Sequence, residues 1–295
     1  MMTRETKQAY FFIAPAAAVV ALLAFVPLAS VVWMSFRRLM PVFDIDRWAG
    51  LSNFSHLLSD SRFWSSLGTT LYFASVAVIL EIALGLGIAL LLHRSFAGRG
   101  LVRTAVLVPW ALPTVVAATM WKWIYDPDFG IMNYLLQELS WISGPVSWLG
   151  DPFWAIHAAI LADVWKTTPF ATLILLAGLA AIPTDLARAA RVDGASSFRI
   201  FFEITLPLLR PALVVTVLFR FLDSFRIFDA IYVLTGGGPA NTTETLAVYI
   251  YKVIFQTLRF GYGSTIAVAM FLLAGTASVV IVGVAGRGAF QVREG

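Results

Sequence analysis

Long apolar stretches separated by short polar segments dominate the hydropathy pattern of this 295-residue chain. A membrane-crossing helix needs about 20 mostly apolar residues, because the hydrocarbon core of a bilayer is about 30 Å thick. Four stretches have an apolar centre with at most one charge, and two further stretches contain several charges. Counting all of them, the predicted spans are 9–36, 67–92, 102–124, 154–179, 211–234 and 260–286.

Six spans indicate an all-α integral membrane protein with a single transmembrane domain over residues 1–295. The composition agrees, since 59% of the residues are hydrophobic and 13% are charged, against about 45–50% and about 25% in typical soluble domains. These values exclude a disordered chain and most soluble enzymes. The first span is too long for the apolar core of a secretory signal, so we expect it to be retained.

The basic residues are distributed unevenly between the two sides of the predicted membrane. With six spans both termini lie on one side, together with the segments 93–103 and 180–210. That side holds 11 lysines and arginines, whereas the three loops of the opposite side hold 6. Because short cytoplasmic segments are enriched in Lys and Arg, both termini are predicted to be cytoplasmic. The net charge of +4 therefore does not indicate nucleic-acid binding.

Sequence motifs of catalysis are missing from the chain. There is no Gly-Lys dipeptide and hence no phosphate-binding loop of the G-x-x-x-x-G-K-[ST] type. The three histidines are far apart, H-E-x-x-H and G-x-S-x-G do not occur, and cysteine is absent. We therefore expect no catalytic residues, no metal site and no cofactor on this chain.

The segment 180–210 is the most informative polar region. Pro183 and the residues after it predict a short helix, which Asp193-Gly194 ends as a turn. A second helix is predicted from Ser196 or Ser197 to Leu206-Pro207, and Pro211 then begins the fifth span. The two helices could lie on lipid headgroups or could dock into a cytoplasmic partner, and the pattern alone favours neither.

The same segment resembles the signature of importer-type ABC transporter permeases. That signature is Glu-Ala-Ala, three residues, Gly, nine residues, Ile, one residue and Leu-Pro. Here Ala189-Ala190, Gly194, Ile204 and Leu206-Pro207 keep every spacing, and Arg188 replaces the opening Glu. Residues 165–170 and 225–239 also resemble carbohydrate permeases. The chain is thus similar to the first permease subunit of maltose/trehalose-type sugar importers.

The resemblance implies a type I ABC importer permease fold in the bacterial inner membrane, with a cytoplasmic coupling helix. Expected partners are a second permease, two ATPase subunits that bind ATP and Mg²⁺, an extracytoplasmic sugar-binding protein and the bilayer. The expected function is import of a sugar such as trehalose or maltose by alternating access. Glycerol phosphate or another small solute is an alternative cargo, and a membrane-embedded transferase or an ion-driven transporter is an alternative class.

The resemblance also assigns residues that couple the permease to its ATPase. A Gly194→Val change is expected to abolish transport, because a bulky side chain would hinder the turn. The expected coupling residues are Arg188, Ala189, Ala190, Asp193, Gly194, Ala195, Phe198, Ile204, Leu206 and Pro207.

Ionisable residues inside the spans are the second lead, because charge in a membrane is costly and usually faces a cavity or a partner. The spacing predicts i, i+3 pairs of Arg220 with Asp223 and of Arg226 with Asp229. Such pairs could hold helices together or could recognise sugar. Glu81 could pair with Arg220, Lys166 or the partner permease. The predicted pathway residues are Trp165, Lys166, Thr168, Arg220, Asp223, Ser224 and Ile227.

Overall fold

A computed structural model describes residues 4–285 of the chain, and the side chains of residues 10–284. Arg287 and Arg293, which contribute to the predicted topology, lie outside this range. A β-hairpin and helices make up the described part. The elements are α1 (Arg4–Ser35), β1 (Arg37–Met40), β2 (Ile45–Trp48), α2 (Ser52–Ser59), α3 (Ser61–His93), α4 (Arg99–Ala111), α5 (Thr114–Ile124), α6 (Ile131–Glu138), α7 (Pro152–Ala180), α8 (Thr184–Val192), α9 (Ser197–Ile200), α10 (Leu206–Phe225), α11 (Asp229–Leu234), α12 (Leu246–Tyr251) and α13 (Phe260–Ala285).

The chain divides into two compact units, and the first comprises residues up to 63 together with 249–272. Its β1–β2 hairpin follows α1 directly. The Asn53 amide donates hydrogen bonds to the carbonyls of Ser35 and Arg37 at 2.8 and 3.0 Å. Helix α13 passes so close to the hairpin that a Cβ at Gly261 would lie 1.9 Å from the Arg37 carbonyl oxygen. Only glycine therefore fits at position 261.

A carboxylate with two tyrosines ties the sequence-distant parts of the first unit together. The Tyr249 hydroxyl donates to Asp60 Oδ2 at 2.5 Å, and the Tyr262 hydroxyl donates to the same oxygen. Arg62 lies over the Tyr249 ring and Arg259 over the Tyr262 ring, each at 4.9 Å. Burial alone would raise the pKa of Asp60, but the tyrosine and backbone N–H hydrogen bonds outweigh it and lower this pKa below its ordinary value.

The second unit comprises residues 64–248 and the described residues from 273 onward. Helix α7 forms its centre, with buried apolar side chains along most of its length. Asp151 caps the start of α7 by accepting hydrogen bonds from the backbone N–H groups of Phe153 and Trp154 at 2.9 and 3.0 Å. The Tyr125 hydroxyl, at the end of α5, donates to the Ala158 carbonyl at 2.9 Å. This last bond connects the end of α5 to α7.

The third predicted span, 102–124, is broken and not straight. Helices α4 and α5 meet at an angle of 94°. Leu112 has an extended backbone, with φ −73° and ψ 138°, because it precedes Pro113 and the proline ring disfavours helical geometry there. Pro109, by contrast, lies inside α4. Pro113 therefore separates α4 from α5 within the predicted span.

The boundaries predicted for the fifth span, 211–234, are also wrong. A continuous helix runs from Ser197 to Phe225, so Leu206-Pro207 does not end a helix and Pro211 does not begin one. Residues 201–205 form one wide π-type turn just before α10. In such a turn the hydrogen-bond register shifts by one residue, which helps the helix to accommodate Pro207 without its N–H. Helix α11 ends at Leu234, just before the glycine-rich run.

Within residues 4–285, five helices are long and apolar enough to cross a membrane. The predicted number of six is reached when the bent pair α4–α5 is counted as one span. Between the spans the loops are more structured than the sequence indicates, since the first holds the hairpin and α2, and the last holds α12. The all-α membrane fold class is therefore correct, with one hairpin added.

Candidate functional site

A buried ion pair between α3 and α10 lies at the centre of the candidate site. Arg220 Nε donates to Glu81 Oε2 at 2.5 Å, and Arg220 Nη2 donates to Glu81 Oε1 at 2.9 Å. Both side chains are almost fully buried, at 3% and 0% exposure. The Thr167 hydroxyl lies 2.7 Å from Glu81 Oε1, so α7 also contributes to this cluster. Of the three partners that the sequence left open for Glu81, the structure selects Arg220.

Asp223 is the exposed end of the same network. Arg220 Nη1 donates to Asp223 Oδ2 at 2.7 Å, as the i, i+3 spacing predicted. Arg226 Nη2 donates to Asp223 Oδ1 at 3.3 Å. The predicted Arg226–Asp229 pair is wrong, because α10 ends at Phe225 and the two residues no longer share one regular helix. Asp223 keeps half of its side chain exposed, whereas Arg220 turns inward.

Asp163 lies on the opposite wall, on α7. Its Oδ2 is 3.8 Å from Arg220 Nη2, which is too long for a hydrogen bond. That oxygen is buried and has no hydrogen-bond partner within the described part of the chain. A buried carboxylate oxygen of this kind retains its full capacity to accept a hydrogen bond.

These side chains border a cavity of about 310 Å³ in the second unit. Three acidic and three basic residues contribute to its wall, so the wall offers both hydrogen-bond acceptors and donors. A mixed donor and acceptor surface suits a neutral polar solute better than an anion. The lining residues are Thr114, Asp163, Lys166, Thr167, Arg220, Asp223, Ser224, Arg226, Ile227, Phe228, Asp229 and Ala230.

The cavity brings together most of the predicted pathway residues: Lys166, Arg220, Asp223, Ser224 and Ile227. Two others lie outside its lining. Trp165 packs edge-on against Trp121 with ring centroids 5.7 Å apart, and the Thr168 hydroxyl donates to the Val164 carbonyl at 2.6 Å. Lining residues outside the predicted pathway set include Asp163 and Thr167, which lie one turn apart on α7. Their i, i+4 spacing places both on one face of the helix.

The predicted coupling segment has the helix–turn–helix form expected from the sequence. Helix α8 ends in a Schellman motif: the Gly194 N–H donates to the Arg191 carbonyl at 3.1 Å, and the Ala195 N–H donates to the Ala190 carbonyl at 2.9 Å. Gly194 has φ +81°, a conformation that favours glycine. The Ser196 hydroxyl then caps the next helix by accepting from the Arg199 N–H at 3.3 Å.

Large apolar side chains are exposed on both sides of the turn at Gly194. Val192 before the turn is 89% exposed, and Phe198 after it is 73% exposed. Arg188, which replaces the expected Glu, donates to Asp185 at 2.9 Å on the helix surface. Ile204 lies in the wide turn, and Leu206 and Pro207 follow it at the start of α10. Because the helix is continuous here, Leu206-Pro207 does not end a helix.

Metal binding has no structural basis among residues 4–285, because no group of three or more His, Cys, Asp or Glu side chains is close enough to hold an ion. The clustered carboxylates instead pair with arginines. The chemistry available to the site is hydrogen bonding to a polar solute.

Comparisons with known proteins place the chain in a family and identify similar proteins. Residues 81–288 match the sequence profile of the binding-protein-dependent transport system inner membrane component. The trehalose/maltose transport system permease protein of Thermococcus litoralis is 43% identical over 277 residues, covering 94% of this chain and 93% of that protein. The trehalose transport system permease protein of Mycobacterium tuberculosis is 42% identical over 268 residues, covering 90% and 85%.

Solved structures share the fold. A crystal structure of a bacterial ABC transporter involved in alginate import superposes with a TM-score of 0.81 at 21% identity, over 99% of this chain and 98% of that chain. At this identity the similarity concerns the fold, and it agrees with the six-span arrangement.

Proposed function

Because this chain belongs to the binding-protein-dependent transport system inner membrane components, as its coupling segment predicted, we propose that it carries a sugar into the cytoplasm as one of two permease subunits. Members of this family are non-catalytic multi-pass membrane subunits of ABC importers, so ATP hydrolysis takes place on other chains. The cargo we propose is a disaccharide such as trehalose or maltose. The names of the two relatives at 42–43% identity support this choice.

The cavity around Asp223 is the observation that carries the proposal. A neutral sugar offers many hydroxyl groups, which need fixed acceptors and donors. Asp223 is held by Arg220 from one side, and Arg220 is in turn held by Glu81. The half-exposed Asp223 carboxylate therefore presents acceptors to the cavity in a fixed orientation. We assign sugar contact to Asp223, Lys166, Ser224 and Ile227, and a positioning role to Arg220.

The acidic residues of the cavity argue against an anionic cargo. Lys166, Arg220 and Arg226 share the wall with Asp163, Asp223 and Asp229, and the buried Glu81 pairs with Arg220 behind it. A phosphorylated solute would need an excess of positive charge. A neutral sugar is therefore the better fit than glycerol phosphate.

The proposed partners follow from the family and from the missing phosphate loop. A second permease would complete the pore, two ATPases would bind ATP and Mg²⁺, and an extracytoplasmic binding protein would deliver the sugar. The chain itself would bind no cofactor. Helix α8 and the turn at Gly194 would lie in a cleft of one ATPase and transmit its closure as a rigid-body motion of the spans. With both termini cytoplasmic, α8 is on the correct side.

An uptake assay tests the proposal. The complete transporter is reconstituted into liposomes with its binding protein, and uptake of labelled trehalose, maltose and glycerol 3-phosphate is compared. We expect ATP-dependent uptake of a disaccharide and none of glycerol 3-phosphate. Asp223→Asn should reduce sugar uptake by about tenfold or more, since a hydrogen bond to a charged group contributes about 1.5–3 kcal/mol. Asp128→Asn, an exposed residue outside the cavity, is the matched control. Uptake of glycerol 3-phosphate without sugar uptake would contradict the proposal.

A further inference from the structure

A second cavity, of about 790 Å³, lies where α3 and α7 end beside α8 and α9. Apolar side chains from the ends of the spans, including Leu90 and Leu179, form one part of its wall. Basic side chains form another part, contributed by Arg94 after α3 and by Arg191 on α8. None of the described residues that line this cavity carries a carboxylate. The wall therefore combines apolar surface with uncompensated positive charge.

The two arginines are available to a ligand. Arg188, which also lines the cavity, is already paired with Asp185 at 2.9 Å. The guanidinium groups of Arg94 and Arg191 make no hydrogen bond or ion pair with any described residue in the range 10–284, and both residues are exposed. An arginine guanidinium matches the geometry of a phosphate group, to which it can donate two parallel hydrogen bonds.

The cavity is lined by the inward face of α8, and the opposite face of this helix points outward. Thr184, Ala187 and Arg191 are spaced three and four residues apart, so they share one helix face, and all of them line the cavity. Leu186 and Asp193 lie on the opposite face and are exposed. The outward face carries no lining residue of the cavity, whereas Arg188 and Phe198, two of the predicted coupling residues, belong to the cavity wall.

We propose that this cavity binds an anionic phospholipid, with the headgroup phosphate held by Arg94 and Arg191 and an acyl chain along the apolar wall. Basic pockets between transmembrane helices at the cytoplasmic surface bind acidic lipid headgroups by this combination of contacts. Leu90, Ile182 and Phe201 are half-buried in the apolar wall, so they offer an acyl chain a surface that a soluble phosphate compound would not use. The bound lipid would link the coupling segment to the end of α3.

Native mass spectrometry of the intact transporter tests this lipid site. The complex, purified with its partner subunits, is exposed to phosphatidylglycerol or to phosphatidylcholine, and the retained lipids are counted. The wild type is expected to retain phosphatidylglycerol in preference. Arg94→Gln/Arg191→Gln should lower this retention by about 30-fold, because each basic residue near a membrane surface contributes about fivefold in affinity for acidic lipid. Arg94→Lys/Arg191→Lys should retain it, and Arg99→Gln/Arg103→Gln, which removes two charges elsewhere on the same side, is the matched control.

Several results would overturn the lipid assignment. Equal retention of phosphatidylglycerol by the wild type and by Arg94→Gln/Arg191→Gln would exclude these arginines as its ligands. Displacement of the bound lipid by millimolar inorganic phosphate would identify a site for free phosphate. Loss of the ATPase subunits from Arg94→Gln/Arg191→Gln, with lipid retention unchanged, would assign the cavity to the ATPase contact. The assay does not depend on sugar transport. Its result can therefore be interpreted even if the proposed function is wrong.

Discussion

Arg220 and Glu81 are 139 residues apart in the chain, yet they form a two-point ion pair with contacts of 2.5 and 2.9 Å. Arg220 also donates to Asp223, which reaches the cavity. The three residues therefore form a chain from a fully buried carboxylate to a half-exposed one. This arrangement makes the position of Asp223 depend on a residue of α3 that does not line the cavity.

Removing the Glu81 charge tests this dependence. Glu81→Gln removes the fully buried one of the two carboxylates that pair with Arg220, and breaking a buried ion pair by removing one partner costs about 3–5 kcal/mol. We expect a clear decrease in the thermal unfolding midpoint of the purified complex, together with loss of sugar uptake.

A double variant separates stability from positioning. Replacement of a buried ion pair by apolar residues is often neutral for stability, so Glu81→Met/Arg220→Met should recover most of the thermal stability. Sugar uptake should remain low, because Asp223 has lost Arg220. Normal uptake by the double variant would show that Arg220 does not position Asp223.

Arg226 should be far less important than Arg220, although both donate to Asp223. The Arg226 side chain is 74% exposed and its contact is 3.3 Å long. Exposed ion pairs contribute about 0–1 kcal/mol. We expect Arg226→Gln to leave the unfolding midpoint almost unchanged and to reduce uptake by less than about threefold. An effect as large as that of Arg220→Gln would mean that Arg226 contacts the sugar directly.

Substitutions at Gly194 should act through backbone conformation and not through crowding. A Cβ at this position would meet no atom within 4 Å, but φ is +81°. A non-glycine residue in the left-handed region costs about 1–2 kcal/mol, and Asn tolerates it better than β-branched residues. Gly194→Asn should therefore retain much of the uptake, whereas Gly194→Val should abolish it. Sugar capture by the binding protein should be unchanged in both. Equal loss in the two variants would indicate a requirement for space in the complex.

The Asp60 carboxylate should make the stability of the chain sensitive to acid. Its folded-state pKa is lowered below the ordinary value of 3.8, so its stabilising contribution is complete above that value. The contribution is lost as the pH falls through the lowered folded-state pKa. Thermal unfolding between about pH 2 and pH 5 should show a steeper acid loss for the wild type than for Asp60→Asn. Parallel curves for the two proteins would rule out Asp60 as a source of the acid sensitivity.

The local features of the fold follow from the sequence because their causes are local. Apolar length predicts the spans, and the turn chemistry of Asp193-Gly194 and Ser196 predicts the end of α8 and the start of α9. The proline rules were less reliable. Pro207 and Pro211 lie in a continuous helix after a wide turn, because tertiary packing and a shifted hydrogen-bond register override a local preference.

The partner of Glu81 could not be predicted, because residue spacing carries no information on contacts between α3 and α10. The sequence also does not show which face of α7 lines the cavity, and the predicted threonine was wrong by one position. Thr167, and not Thr168, faces Glu81, and a shift of one position rotates a side chain by about 100° around the helix.

The most direct test of the central claim is to count sugar molecules trapped inside the transporter. ATPase-deficient complexes are closed with ATP after delivery of labelled trehalose or maltose by the binding protein, washed, and assayed for retained label. Our account predicts about one sugar per wild-type complex, the same for Asp128→Asn, and a loss of about tenfold or more for Asp223→Asn. Equal retention of sugar by Asp223→Asn and the wild type would contradict the assignment of this cavity as the sugar pathway.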